Sequence, residues 1–122
     1  VGMIRPLLNY LEGMEYINLI GKTDILDAYA CMKRCIGFVG NDSGLMHLAA
    51  ASSIPTLGLF GPSPETVYSP WGKNCGWIRT DRTFDEIISD ENYNYNSSQS
   101  NMFDLSVDKV EAAFLKLLKY HD

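Results

Sequence analysis

Short apolar runs alternate along this chain with stretches in which apolar positions recur at helical spacing. Residues 16–20 (YINLI) are predicted to form a strand, followed by a turn at Gly21, Lys22 and Thr23. Thr23 or Asp24 can cap a helix over residues 25–34, where Ile25, Ala28, Tyr29 and Met32 fall on one side. Residues 36–39 are a continuous apolar run broken only by Gly37, as suits a strand buried on both faces. Gly40, Asn41 and Asp42 then make a tight turn, and residues 43–52, rich in Leu, Met and Ala, are predicted to be helical. Pro55 leads into a third strand at residues 56–60 (TLGLF), two Pro- and Gly-containing loops follow, and residues 76–79 are predicted as a fourth short strand. Near the C-terminus Ser106 is a good helix cap, and Val107, Val110, Phe114, Leu117 and Leu118 form one apolar stripe.

Strands that alternate with helices in this order predict an α/β fold: a parallel sheet of about four strands with helices on both faces, joined by right-handed crossovers. Open sheets of this kind commonly carry five or six strands. The low count, and a first residue that is Val rather than Met, lead to the expectation that the chain is part of a longer protein. Residues 1–122 are expected to form one partial domain. Residues 89–101 (SDENYNYNSSQSN) are predicted to be a flexible surface loop, since they hold almost no aliphatic side chain. Tyr93 and Tyr95 in that loop have no basic residue between them, so they make a poor stacking platform.

Composition narrows the function classes. Hydrophobic residues make up 46% and charged residues 20% of 122, so a packed soluble domain is expected. A formal net charge of −5 argues against broad nucleic-acid binding, which needs clustered Lys and Arg. No signal peptide and no apolar stretch near the roughly 20 residues of a membrane span is visible, and a cytoplasmic location is expected. Cys31, Cys35 and Cys75 form no evident disulfide framework, and burial is expected for them, as for most free cysteines. With His47 and His121 far apart, a zinc site of about four ligands is not expected, and no other metal is.

The segment that carries chemistry is residues 40–47 (GNDSGLMH). A buried strand ends there and a helix begins, which is where open parallel sheets bind ligands. The first amides of a helix lack intrahelical partners, and the helix dipole adds roughly half a positive charge. Together they suit an anion such as phosphate without a lysine. Gly44 lets a ligand approach the backbone, and Ser43 adds a hydroxyl. Spacing favours Asp42 as the helix cap, with sugar or ribose hydroxyls as its alternative partners. His47, four residues beyond Ser43, shares its helix face and either reaches a phosphate or packs as a partly buried side chain. A serine hydrolase does not fit, because the nucleophile elbow is absent and His47 lies on the same helix as the serine. A Walker A loop does not fit either: Gly21-Lys22-Thr23 lacks the glycine that would stand at Tyr16.

Residues 38–51 (FVGNDSGLMHLAAA), followed by Ile54-Pro55-Thr56 and Leu59-Phe60-Gly61-Pro62, resemble glycosyltransferase family 9, the bacterial heptosyltransferases. Leu19-Ile20-Gly21-Lys22-Thr23 and Pro70-Trp71-Gly72 are similar to the family as well, so the resemblance runs from about residue 16 to residue 80. It implies a Rossmann-like three-layer domain, part of the C-terminal half of a GT-B enzyme. In that architecture the C-terminal domain holds a nucleotide-sugar donor, typically ADP-heptose. An N-terminal domain holds the acceptor, a lipid A–core precursor at the inner membrane. Carried over, Asp42 would contact the donor sugar, and Ser43 and Gly44 would give amides to the diphosphate with His47 close by. Gly21, Lys22 and Thr23 would line the nucleotide side, and Gly61, Pro62 and Ser63 the rim. The resemblance implies no metal or other cofactor and supplies no catalytic base within these residues. The acceptor domain has no counterpart in the chain, so weak donor binding without turnover is expected of it alone. The competing expectation is a non-catalytic nucleotide-binding or interaction module, whose exposed sheet edge would allow a second copy to pair.

Overall fold

A computed structural model describes residues 5–90, 102 and 105–119. Its elements run α1 (Arg5–Leu11), α2 (Ile25–Met32), β1 (Phe38–Asn41), α3 (Gly44–Ala51), β2 (Thr56–Phe60), α4 (Glu65–Tyr68), β3 (Cys75–Arg79), α5 (Phe84–Ile88) and α6 (Val107–Lys119). The predicted loop at residues 89–101 falls almost wholly outside the described residues.

The sheet is parallel, in the order β1-β2-β3. Phe38 pairs with Thr56 and Asn41 with Leu59, while β2 runs alongside β3 from Thr56–Cys75 to Phe60–Arg79. Side chains along β2 alternate between two covered faces. On one face α3 comes close, because Gly58 has no side chain: a Cβ there would lie 2.6 Å from Met46 Sδ and 3.2 Å from Pro70. On the other face lies α6. A Cβ at Gly37 would meet Phe114 at 2.6 Å and Leu118 at 3.2 Å, and one at Gly76 would touch Leu117 at 3.7 Å. Helix, sheet and helix make the three-layer α/β/α fold that the element order predicts. The buried apolar core consists, among the described residues, of Met46, Ala49, Ile54, Leu57, Phe60 and Ile87.

Three expectations are corrected. The sheet has three strands among the described residues, because Tyr16 to Ile20 is irregular. Asn18 Oδ1 accepts the Ile20 amide at 3.0 Å and Leu19 carbonyl oxygen accepts the Lys22 amide at 3.0 Å. Local bonds of this kind compete with a ladder, and no strand among the described residues pairs with this segment. The strand expected at residues 36–39 is shifted to Phe38–Asn41, and Ile36 is 79% exposed. Its amides lack a ladder partner there; pairing with β2 begins at Phe38, whose N–H donates to Pro55 carbonyl oxygen. In α6 the stripe is narrower than expected: Val107 is 80% exposed at the first helical turn, whereas Val110, Phe114, Leu117 and Leu118 are half-buried. Ser106 does cap this helix, accepting the Lys109 amide at 3.2 Å.

Candidate functional site

Parallel strands bring all their C-terminal ends to one edge of the sheet. Asp42 to Gly44 leave β1 there, Gly61 to Ser63 leave β2, and Thr80 to Arg82 leave β3. Since β1 and β2 are neighbours, the first two loops stand side by side, about 4.8 Å apart at their strand roots.

The start of α3 is built by Ser43, not by Asp42. Ser43 is extended (φ −163°, ψ 168°) and its Oγ accepts the Met46 amide at 3.4 Å, while its carbonyl accepts from His47. Asp42 sits one residue too early to cap, because the strand continues through Asn41 and the turn is correspondingly short. Its half-buried carboxylate makes no hydrogen bond or ion pair among the described residues. The amides of Gly44 and Leu45, the first two of the helix, likewise have no partner among the described residues. A Cβ placed on Gly44 would meet nothing within 4 Å, so the helix start is open on that side. His47 is exposed one turn further along.

A groove of about 880 Å³ opens from this helix start. One wall is Ser43, Gly44, Leu45 and Leu48 of α3; the other runs from Leu19, Ile20, Gly21 and Thr23 along α2. Gly21 takes φ +71° in the turn closed by the Lys22–Leu19 hydrogen bond, a conformation that favours glycine. Asp24 caps α2 by accepting the Asp27 amide at 2.8 Å, which fixes where that wall begins. The groove thus has polar donors at one end and apolar side chains along most of its length. Among the residues expected to bind, Gly21, Thr23, Ser43 and Gly44 share its lining. Asp42, His47, Lys22, Gly61 and Pro62 lie outside it.

The rim loop after β2 is held by a residue that sequence pattern did not single out. Arg79, at the end of β3, donates to Gly61 carbonyl oxygen at 2.8 Å, to Arg82 carbonyl oxygen at 2.9 and 3.1 Å and to Ser63 carbonyl oxygen at 3.5 Å, and pairs with Glu65. Its side chain is only 12% exposed. A planar guanidinium with five donors suits such a set of carbonyls. Lys109 of α6 ties to the same corner through Arg79 carbonyl oxygen at 3.4 Å and Asp81 at 3.1 Å. Gly61, Ser63 and Glu65 lie far from Arg79 in sequence and meet it because β2 and β3 are neighbours.

The cysteines depart from expectation. Cys31 and Cys35 are exposed, and only Cys75 is partly covered, burial pushing its thiol above the usual range. Cys31 and Cys35 lie where α2 faces the groove instead of a packed layer. No group of three or more His, Cys, Asp and Glu poised to hold a metal occurs among the described residues.

These features define a parallel α/β domain with a groove between α2 and the start of α3. The sequence profile of glycosyltransferase family 9 (heptosyltransferase) matches residues 5–94. The chain belongs to that family. It is 47% identical over 63 residues to lipooligosaccharide heptosyltransferase 2 of Haemophilus influenzae, covering 52% of this chain and 18% of that protein. Lipopolysaccharide heptosyltransferase 2 of Escherichia coli is 40% identical over 62 residues, 51% of this chain and 18% of its own length. A crystal structure of a family 9 glycosyl transferase from Veillonella parvula superposes with a TM-score of 0.75 at 27% identity, over 97% of this chain and 34% of that one. The chain therefore spans about a fifth of the length of these curated relatives and a third of that structure. No described helix is long and apolar enough to cross a membrane.

Proposed function

We propose that this chain is the donor-binding part of a heptosyltransferase, with a nucleotide-diphosphate sugar, ADP-heptose in the first instance, as its ligand. The observation that carries the proposal is the groove, which has the unpartnered start of α3 at one end and is lined mostly by apolar side chains, with Thr23 and the helix-capping Asp24 on the facing wall. Such a shape suits a molecule with an anionic middle and a flat base. The base lies along Ile20, Gly21, Thr23 and α2. The diphosphate meets the amides of Gly44 and Leu45 and the Ser43 hydroxyl, where the helix dipole favours negative charge. Asp42, with no partner of its own among the described residues, faces sugar hydroxyls, and His47 and Lys22 approach the phosphates from outside the groove. The Gly61-Pro62-Ser63 loop, fixed by Arg79, forms the rim on the next strand. Stabilising the leaving diphosphate by preoriented donors is the contribution these residues make to transfer.

In the proposed whole enzyme the acceptor, a lipid A–core precursor, is held by a separate N-terminal domain, and the protein works in lipopolysaccharide core synthesis at the cytoplasmic side of the inner membrane. The family match and the relatives, which are lipooligosaccharide and lipopolysaccharide heptosyltransferases, support the heptosyltransferase part of this reading.

Gly44→Val tests the site, because its Cβ enters open space at the helix start. ADP, UDP and GDP are titrated against both proteins by calorimetry or NMR. ADP is expected to bind the unaltered chain weakly, with at least a tenfold loss in Gly44→Val and an unchanged circular dichroism spectrum. Equal affinity in the two proteins, or no binding of any of the three nucleotides, overturns the proposal.

A further inference from the structure

The far end of the groove carries chemistry that donor binding does not use. Cys31 lies in the last turn of α2, and the chain then wraps back on itself: Arg34 N–H donates to Cys31 carbonyl oxygen at 3.1 Å and Cys35 N–H to Met32 carbonyl oxygen at 2.9 Å. This folding brings Cys35 back over the last turn of α2, where its thiol donates to Cys31 carbonyl oxygen at 3.3 Å. Both cysteines are exposed and both line the groove, whereas Cys75 is partly covered and stands on β3, away from it. Two exposed thiols four residues apart thus share one groove, within reach of a single ion after side-chain rotation.

We propose that Cys31 and Cys35 together form a dithiol site for a soft thiophilic ion of low coordination number, trivalent arsenic or monovalent copper. Thiolates select soft ions. The described residues supply no third His, Cys, Asp or Glu to complete a group, which disfavours the closed four-ligand set that structural zinc requires and suits an ion content with two sulfurs. The site stands independently of the nucleotide proposal.

Phenylarsine oxide is the probe. It condenses with two thiols: two arsenic–sulfur bonds form, the oxygen leaves as water with the two thiol protons, and arsenic stays trivalent. One equivalent is added to the reduced chain, and the product is examined by intact mass and by alkylation of the remaining thiols. We expect one adduct per chain that survives a hundredfold excess of glutathione, with Cys75 the thiol still open to alkylation. Cys75→Ser keeps the adduct, while Cys31→Ser and Cys35→Ser each give at most an adduct that glutathione strips. No adduct on the unaltered chain, an adduct in either of those two serine variants that resists glutathione as well as the original, or consumption of Cys75 in place of the pair overturns the site.

Discussion

Asp42 and Ser43 are adjacent, yet the structure gives them separable tasks. Ser43 Oγ satisfies one of the orphan amides of α3. Asp42 satisfies none, and its carboxylate has no partner among the described residues. Ser43→Ala should therefore cost about 0.5–1 kcal/mol of stability, the low end of a cap deletion because the bond is long at 3.4 Å. Asp42→Ala should change stability by no more than about 0.5 kcal/mol. Urea unfolding of the two variants decides the assignment: the reverse order would return the cap to Asp42. The sequence supports a capped helix start at this segment because the chemistry is local, three residues from donor to acceptor. It does not separate the two side chains, since either can accept the same amide and only the extended backbone at Ser43 chooses between them.

The helices lie on opposite faces of the sheet, and glycines set how close they come. Gly37 and Gly76 admit α6, and Gly58 admits Met46 of α3. Gly37→Ala would place a Cβ at 2.6 Å from the Phe114 ring, so the ring or the helix must shift, at about 1–3 kcal/mol. Adding Phe114→Leu should return part of that loss, so that the double variant is more stable than the sum of the single changes, as measured by denaturant melts. Strict additivity would mean that α6 does not meet the sheet at this point. Element order and the parallel sense of the sheet were legible in the alternation of apolar runs with helical spacing. The segment YINLI was not, because its pattern is the same in a paired strand and in an exposed extended segment. What differs is a partner, and Asn18 turns the chain locally instead. Arg79 was illegible for a related reason: its partners at Gly61, Ser63 and Glu65 lie 14 to 18 residues away and meet it only because β2 and β3 are neighbours. The wall that α2 contributes to the groove is non-local in the same way.

At the scale of the whole molecule, a small core and an open groove make stability responsive to ligand. Few apolar side chains among the described residues are fully buried, and Leu19, Ile20, Ile25 and Leu45 remain exposed along the groove. A ligand that binds only the folded chain stabilises it by RT ln(1 + [L]/Kd), about 2.7 kcal/mol at a hundredfold excess over Kd. For a domain of this size each kcal/mol moves the midpoint by several degrees. ADP should therefore raise the thermal midpoint of the unaltered chain in a concentration-dependent way, and Gly44→Val should need at least about ten times as much ADP for the same rise. Transfer is a different matter. It requires an acceptor hydroxyl held against the donor and a base to deprotonate it, and in the proposed reading the groove serves the donor while the acceptor lies in a separate domain. The 122-residue chain should consequently bind ADP-heptose, show the same thermal shift and transfer no heptose to a lipid A–core acceptor. Measured turnover by this chain would mean that the acceptor and the base are found within these residues, and the assignment of the groove to the donor alone would have to be abandoned.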